Sequence, residues 1–514
     1  MRSGAQALVE ALERAGTEVV FGYPGANVVD VFERLRTAKF RFVLGRHEQG
    51  CTHMADGYAR ATGRPGVVVV TSGPGATNAI TGLATANVDG VPLVLVSGQV
   101  PLSQIGTDAF QEADMTGICR AATKHSFLVK SADEIPETVA QAFYIATHGK
   151  PGAVVIDVPR NVQEELTAAQ YPERISLRAY HPEHAASTAQ VNRFAKLLNE
   201  AKRPVLFAGG GVIAANAARD LAVLSLRANA PVATTLMGIG SIDERAPLSL
   251  GLAGLYGTKA ANEALAAADV VIALGVRFND RVTGTDIVRY VRGKKIVHVD
   301  CDPSSIDKNV PVTLGIVADI KDLLMTVNSR IRPAEHADWL KRIAAWKKSD
   351  GVRREPVIAA VEKATKGQAI LVADVGNHQM ACARHFSHAL PRHFLTSGGM
   401  GTMGFAIPAA IGAAIARPHE KVVAVVGDGG AQMTFEELIV AVELKLPVTF
   451  VIVNNASLGM VRTPISSPDF VKLAEAYGMR GARISDAKKL DFVMAKAVKA
   501  KTPVLVEVVI GSKA

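Results

Sequence analysis

The residues best suited to chemistry follow two apolar runs late in the chain. Gly427, Asp428 and Gly429 follow KVVAVV, and Asn454 and Asn455 close PVTFVIV. Such runs predict buried parallel strands, whose carboxyl ends share one edge of a sheet. An Asp and an Asn there supply oxygen ligands for Mg²⁺, and the glycines let a diphosphate approach the backbone. Gly-Asp-Gly alone suits an ordinary turn, but the Asn pair at this spacing favours a cofactor site.

A second candidate is Glu48, which follows the predicted strand in FRFVLGRHEQG. A carboxyl group whose pKa is raised toward neutrality by burial serves in proton transfer. A solvated glutamate after a strand is the ordinary alternative. A third candidate is Met403, within the glycine-dense turn and small-residue helix GGMGTMGFAIPAAIGAA. Most of that segment's Gly and Ala residues suit tight helix packing.

The elements that position these residues are short runs of Val, Ile and Leu, alternating with helical patterns along the whole chain. Continuous apolar strands with intervening helices predict parallel sheets covered on both faces. The fold class is therefore α/β, with three doubly wound domains. Polar segments at 164–190 and 328–356 are interpreted as linkers, which gives domains at 1–163, 188–328 and 356–514.

Composition excludes several other classes of protein. The chain has 514 residues, of which 48% are hydrophobic and 20% charged, as in globular proteins. No apolar run is long enough to span a bilayer, and we expect a soluble cytoplasmic protein. Four dispersed cysteines predict neither a metal cage nor a disulfide framework. The net charge of +9 is scattered and lacks a nucleic-acid motif, so anionic small molecules explain it better.

The GDG…NN pattern matches the signature of thiamine-diphosphate enzymes, and most of the chain resembles the acetolactate (acetohydroxyacid) synthase large, catalytic subunit. The segments that carry this resemblance are FGYPGA (21–26), TSGPGATNAITGLATA (71–86), SGQVPLSQIGTDAFQEAD (97–114), VGNHQM (375–380) and SPDFVKLAEAYG (467–478). The resemblance implies the thiamine-diphosphate enzyme fold. It also implies decarboxylation of pyruvate and ligation to a second 2-keto acid, in branched-chain amino-acid biosynthesis.

The resemblance also implies roles for single residues. Glu48 would hydrogen-bond the cofactor's aminopyrimidine, Met403 would hold the cofactor bent, and Gln111 and Arg281 would position the substrates. Asp428, Asn455 and the backbone carbonyl of Ser457 would bind Mg²⁺. Further thiamine-diphosphate contacts are expected from Tyr23, Pro74, Asn78, Asn377 (where the family has Gln), His378, Gln379, Gly401, Gly427, Gly429, Gly430, Gly459 and Met460.

The central domain resembles the FAD-binding segments of this family, in RPVLFAGGGV (203–212), GVRFNDRVTG (275–284) and HVDCDP (298–303). Glycines after a strand, two nearby arginines and an Asp at a strand end suit a dinucleotide. The predicted FAD ligands, with no redox role assigned, are Gly209, Gly210, Arg277, Asp280 and Asp300. The family also implies an active site between subunits of a homodimer or homotetramer, with a possible regulatory small subunit.

This sequence departs from the family after MVR at 460–462, where an inserted lid segment is missing, and at its end, where a C-terminal tail is missing. Lids exclude water, so we expect altered acceptor choice or leakage to simple decarboxylation. Three alternatives stay open: a thiamine-diphosphate decarboxylase or carboligase for another keto acid or acyl donor, an FAD-linked oxidase resembling pyruvate oxidase, and a non-catalytic paralogue. The presence of Glu48, Asp428 and Asn455 argues against the paralogue.

Overall fold

The computed structural model describes residues 1–175, 177–350 and 355–511. Three six-stranded parallel sheets dominate it, each covered by helices on both faces, so the predicted α/β class is confirmed. Residues 512–514, at the chain end to which the missing-tail expectation refers, lie outside the described residues. None of the helices in the described ranges combines the length and the apolar character needed to cross a membrane.

The N-terminal sheet has the strand order β3-β2-β4-β5-β7-β6, and a short antiparallel pair, β1 with β8, lies beside it. Its strands are β1 (Arg2–Ser3), β2 (Val19–Tyr23), β3 (Arg41–Leu44), β4 (Gly66–Val70), β5 (Leu93–Gln99), β6 (His125–Leu128), β7 (Ala153–Pro159) and β8 (Leu166–Thr167). Its helices are α1 (Gly4–Arg14), α2 (Val29–Leu35), α3 (Glu48–Thr62), α4 (Pro74–Asn78), α5 (Ile80–Asp89), α6 (Met115–Cys119), α7 (Ile135–Thr147) and α8 (Arg160–Glu164).

The central sheet has the order β11-β10-β9-β12-β13-β14. Its strands are β9 (Pro204–Ala208), β10 (Val232–Thr234), β11 (Ser249–Leu252), β12 (Val270–Leu274), β13 (Lys295–Asp300) and β14 (Leu314–Val317). The helices are α9 (Thr188–Asn199), α10 (Gly210–Ala214), α11 (Ala218–Ala228), α12 (Lys259–Ala267), α13 (Asp280–Thr283), α14 (Ile287–Val291), α15 (Ile320–Asn328) and α16 (Ala337–Ser349).

Helix α16 corrects the interpretation of 328–356 as a linker without a core-forming pattern. Trp339 and Ile343 are buried in the core of the central domain. The indole N–H of Trp339 donates to the carbonyl of Pro204 at 3.1 Å. Trp339, Ile343 and Trp346 are spaced as one helix face, which the many charged residues between them obscured.

The C-terminal sheet has the order β16-β15-β17-β18-β22-β21. Its strands are β15 (Ile370–Ala373), β16 (Phe394–Thr396), β17 (Val422–Gly427), β18 (Val448–Asn454), β21 (Arg480–Ile484) and β22 (Val504–Val509), and β19 (Ser457–Leu458) pairs with β20 (Thr463–Pro464) as a separate hairpin. Its helices are α17 (Pro356–Thr365), α18 (Asn377–His385), α19 (Ala406–Ala416), α20 (Asp428–Ala431), α21 (Leu438–Glu443), α22 (Phe470–Ala476) and α23 (Leu490–Val498).

Helices α3 and α19 join the N-terminal and C-terminal domains through a shared core. Small residues in both helices allow the backbones to approach closely, as the sequence predicted for α19. A Cβ on Gly412 would lie 1.9 Å from the carbonyl oxygen of Met54, and one on Gly57 would lie 2.1 Å from that of Ala409. This contact places the start of α3, and therefore Glu48, against the C-terminal domain.

Candidate active site

The Gly-Asp-Gly turn and the Asn pair lie side by side at one edge of the C-terminal sheet. Strands β17 and β18 are parallel neighbours, with Gly427 in register with Val453. The Asp428 side chain is 2% exposed, and its Oδ2 accepts a hydrogen bond from the Ser467 hydroxyl at 3.1 Å. Oδ1 of Asn455 accepts from the Ser457 N–H at 3.2 Å. The carboxyl group of Asp428 and the amide group of Asn455 therefore lie at the same edge of the sheet, just after two adjacent strands.

The start of α18 faces this edge. A Cβ on Gly459 would lie 2.6 Å from Nδ2 of Asn377 and 3.6 Å from Nδ2 of Asn455, so these side chains converge on one glycine. The ring of His378 is used differently, because its Nε2 accepts from the Gly427 N–H at 3.1 Å. Burial lowers the pKa of His378 to about 4, so the ring is a neutral acceptor that fixes the turn before Asp428.

Met403 lies against the same turn, with its Cε 3.4 Å from the position a Cβ on Gly429 would take. Beneath them is Asp374, a fully buried carboxyl group that sequence analysis missed. Its oxygens accept from the N–H groups of Gly404 (3.0 Å) and Val375 (2.9 Å), and a Cβ on Gly430 would lie 2.1 Å from Oδ2. Burial raises its pKa to about 7. The available signal was its place at the end of the apolar run AILVA.

Glu48 is the first residue of α3 and is 8% exposed. Its Oε2 accepts from Nδ2 of Asn78 at 3.0 Å. Its Oε1 lies 3.3 Å from the position a Cβ on Gly75 would take, so a larger residue there would crowd the carboxyl group. Pro74 opens the short helix α4 in the same turn. Tyr23, at the end of β2, is 38% exposed.

Gln111 completes this second group of residues. A Cβ on Gly73 would lie 2.9 Å from Cβ of Gln111, and both backbones adopt positive φ, 59° and 63°. Oε1 of Gln111 is buried and has no hydrogen-bond partner within the described ranges. A buried amide oxygen without a donor is costly, and this oxygen is available to accept a hydrogen bond from a group bound in the site. Phe110, immediately before it, is 86% exposed.

The β19–β20 hairpin covers the Gly-Asp-Gly turn. Ser457 pairs with Pro464 and Leu458 with Thr463, which leaves only residues 459–462 to make the connection. The side chains of Leu458 and Ile465 contact the position of Gly429. The chain thus closes directly into a tight hairpin at the point where the family insertion was expected to begin.

A cavity of about 1040 Å³ lies where the three domains meet. It is lined by Gly210, Arg277, Arg281 and Asp300 of the central domain and by Gln379, Gly401 and Met460 of the C-terminal domain. Two predicted FAD ligands lie off its wall. Gly209 packs against the backbone of Gly275, and a Cβ on Gly209 would lie 1.9 Å from the Gly275 carbonyl oxygen. Asp280 points to solvent, with a side chain 71% exposed, 3.7 Å from the Arg281 guanidinium.

Asp89, which sequence analysis also missed, connects the domains beside this cavity. Its side chain is fully buried and accepts from the N–H groups of Gly398 (3.0 Å) and Gly399 (2.7 Å). It also pairs with Arg60 at 3.0 Å and faces Arg277 at 3.8 Å. In the sequence, Asp89 lies in the segment NVDG, at the end of a helix. No local sequence pattern indicates which residues it contacts.

Comparison with protein-family models finds three matching domains. Residues 2–118 match the thiamine pyrophosphate enzyme N-terminal TPP binding domain, residues 191–327 the central domain, and residues 374–508 the C-terminal TPP binding domain.

Curated relatives match almost the whole chain. The acetolactate synthase large subunit of Haemophilus influenzae is 43% identical over 531 residues, covering 97% of this chain and 92% of the relative. The isozyme 3 large subunit of Escherichia coli is 42% identical, with the same coverage. The mitochondrial catalytic subunit of Saccharomyces cerevisiae is 40% identical, covering 99% of this chain and 81% of the relative. Since these alignments are longer than 514 residues, the relatives contain internal residues that this chain lacks.

Proposed function

This chain belongs to the acetolactate synthase large-subunit family of thiamine pyrophosphate enzymes, and from that premise we propose that it decarboxylates pyruvate and joins the two-carbon unit to a second 2-keto acid. The observation that carries the proposal is the position of Asp428 and Asn455 after the adjacent strands β17 and β18, with Glu48 buried at the start of α3. Thiamine diphosphate, when bound by these residues, would supply the nucleophilic carbon and the acceptor of electrons that decarboxylation of a 2-keto acid requires.

For the metal, we propose Mg²⁺ held by Asp428, the side chain of Asn455 and the Ser457 carbonyl. The described part of the chain has no group of three or more His, Cys, Asp or Glu side chains able to hold a metal. Diphosphate oxygens and water would supply the remaining ligands, as is usual for Mg²⁺. Asn377 and Gly459 border the space for the diphosphate, whereas His378 positions the turn through Gly427.

For proton transfer, we propose that Glu48 hydrogen-bonds the ring nitrogen of the aminopyrimidine. Asn78 fixes one carboxyl oxygen and leaves the other for this contact. Tyr23 and Pro74 would flank the same ring. Gln111, whose Oε1 has no partner in the described chain, would orient the reacting groups. This arrangement preorganises the site before substrate arrives.

For substrate and cofactor geometry, we propose that Met403 supports the bent cofactor, since it contacts the turn at Gly429. Arg281 lines the cavity and its side chain is 66% exposed, so it would be able to meet the carboxylate of the second keto acid. Gly427, Gly429 and Gly430 allow close approach of the backbone to the diphosphate. Gly401 and Met460, further along the wall, would contact the cofactor from the cavity side.

We propose that the large cavity binds FAD without a redox role. Its volume, about 1040 Å³, is at the upper end for ligand sites and suits a dinucleotide. Gly210, Arg277 and Asp300 line it and are its proposed ligands. The roles predicted for Gly209 and Asp280 are less direct, since one packs on Gly275 and the other faces solvent. Flavin fluorescence quenching on titration would measure binding, and loss of quenching in Arg277→Ala would test the assignment.

We propose a homodimer or homotetramer in which a partner chain completes each site. In its own chain, the Glu48 carboxyl group is hydrogen-bonded by Asn78, and exposed apolar side chains border the two groups of site residues. These are Phe110 (86%), Met433 (54%) and Val461 (68%). The relatives are named large or catalytic subunits, which supports a regulatory small subunit. Four free cysteines favour a reducing compartment, and we propose the cytoplasm.

The experiment that tests the function is product analysis of the purified protein with pyruvate, thiamine diphosphate and Mg²⁺, with and without FAD. We expect acetolactate from the native protein and none from Glu48→Gln. The short 459–462 connection leaves less cover over the site, so we expect some acetaldehyde as well. Oxygen consumption would instead indicate an oxidase. A Glu48→Gln protein as active as the native one would contradict the proposal.

A further inference from the structure

Glu437 is a buried carboxyl group of the C-terminal domain that reaches into the N-terminal domain of the same chain. It ends a 3₁₀ turn, Phe435–Glu437, just before α21, and its side chain is fully buried. Both carboxyl oxygens lie 3.1 Å from the N–H of Arg46, and Oε1 lies 2.9 Å from the N–H of His47. These are the two residues that immediately precede Glu48.

Residues of α3 and of the segment before it pack closely around the Glu437 carboxyl group. A Cβ on Gly50 would lie 2.0 Å from Oε1 of Glu437, so glycine allows the carboxyl group to approach α3. The Arg46 guanidinium pairs with Glu443, which is the last residue of α21 and lies six residues after Glu437. The backbone and the side chain before Glu48 are therefore both fastened to one short region of the C-terminal domain.

Several charged or titratable groups face Glu437. Burial raises its pKa to about 7, and the backbone N–H groups of Arg46 and His47 oppose that rise. Glu436, on the same element, raises the pKa further, whereas the Arg46 guanidinium lowers it. Cys51, on α3, lies close to both carboxyl groups: burial raises the pKa of its thiol, and Glu437 and Glu48 raise it further. The two carboxyl groups thus share one buried neighbourhood.

We infer that Glu437 is a positioning residue for Glu48, because it accepts the backbone N–H groups that set where α3 begins. The inference rests on the proposed function for the part that concerns catalysis. A carboxylate bonded by two fixed donors holds a loop more tightly than a neutral acceptor does. Protonation at low pH, or replacement by an amide, would weaken that hold without changing any group that touches substrate.

The test compares Glu437→Gln with Glu436→Gln, a matched change at the adjacent, half-buried carboxyl group. We expect kcat for pyruvate to fall at least tenfold in Glu437→Gln, with KM changed less than threefold. The native profile of kcat against pH should decline below about pH 7, near the pKa of Glu437. That decline should vanish in Glu437→Gln and persist in Glu436→Gln, moved to lower pH because Glu436 no longer raises the pKa of Glu437. Glu437→Asp, which keeps the charge, should retain the decline and part of the activity.

Amide hydrogen exchange in a peptide covering residues 45–50 gives a readout that does not depend on turnover. We expect exchange at Arg46 and His47 to be at least tenfold faster in Glu437→Gln than in the native protein, and unchanged in Glu436→Gln. If Glu437→Gln does not fold, Glu437→Asp should show intermediate exchange. Unchanged exchange, or a pH profile identical to that of Glu436→Gln, would overturn the inference. If the native protein does not convert pyruvate, but Glu437→Gln still exchanges faster than the native protein, the proposed function is refuted and the role of Glu437 in placing α3 is not.

Discussion

Replacement of Asp89 by Asn should loosen the junction of all three domains. The carboxylate is buried between Arg60 of its own domain, Arg277 of the central domain and the Gly398–Gly399 backbone of the C-terminal domain. Asparagine keeps the shape and one acceptor oxygen but removes the charge. Among the described residues, Asp56 is then the remaining carboxyl group paired with Arg60.

The loss of stability expected for Asp89→Asn depends on how exposed each ion-pair partner of Asp89 is. The Arg60 side chain is 6% exposed, so losing its partner belongs to the class of broken buried pairs, which costs about 3–5 kcal/mol. The Arg277 side chain is 37% exposed, and screening limits its share to about 1 kcal/mol or less. Arg60 retains Asp56, so we expect a total near the lower limit, about 3 kcal/mol.

Thermal unfolding followed by circular dichroism measures this cost. For a domain of this size, about 3 kcal/mol corresponds to a fall in Tm of roughly 6–12 °C. Asp491→Asn is the matched control, because it breaks an ion pair with Lys363 in which both side chains are more than half exposed. That control should melt within about 4 °C of the native protein. Equal Tm values for the two variants would refute the assignment of Asp89 as a buried junction.

Close backbone contacts, a buried histidine and the proposed metal ligand Asp428 should each respond to a single change. Gly412→Ala places a methyl group against the Met54 carbonyl, 1.9 Å away, and should destabilise the α3–α19 contact by about 1–3 kcal/mol, measured by urea unfolding beside Ala414→Gly. Burial lowers the pKa of His388 from 6.5 to about 4. The contribution of the neutral ring to the free energy of unfolding is therefore complete above pH 6.5 and is lost as the pH falls toward 4. The difference in the free energy of unfolding between the native protein and His388→Gln should shrink by about 2 kcal/mol between pH 7.5 and 5. Removal of Mg²⁺ by chelation should abolish thiamine-diphosphate binding measured by calorimetry, and Asp428→Ala should bind weakly even with Mg²⁺ restored.

The sequence was informative wherever chemistry follows a strand. Continuous apolar runs predicted parallel sheets, and parallel sheets bring consecutive strand ends to one edge. For that reason Asp428 and Asn455 were expected to be neighbours, and their strands β17 and β18 do pair. The same reasoning placed Glu48 after a strand, and the structure shows that it is the first residue of α3. Local periodicity was sufficient for these features because each depends on a strand and the residues that directly follow it.

Helix α16 and the cavity wall depended on packing that periodicity does not encode. In α16, lysines and arginines surround the few apolar residues, so only the tertiary contact with Pro204 shows which face is buried. Gly209 and Asp280 fit a dinucleotide pattern, yet the path of the backbone turns one toward Gly275 and the other toward solvent. A motif specifies residue types, whereas the direction of a side chain depends on the turn that carries it.

The carboxyl groups that sequence analysis missed have one physical role in common. Asp89, Asp374 and Glu437 each accept N–H groups from a turn beside a proposed cofactor residue. Turns at strand ends leave backbone donors unpaired, and a buried carboxylate offers several acceptor positions at once. The donors in turn offset the desolvation of the charge. Asp89 and Glu437 act across domains, on partners hundreds of residues away in the sequence. Substitution of Glu437 should therefore loosen the one turn before Glu48 and weaken catalysis before the fold is lost, whereas substitution of Asp89 should also destabilise the domain junction.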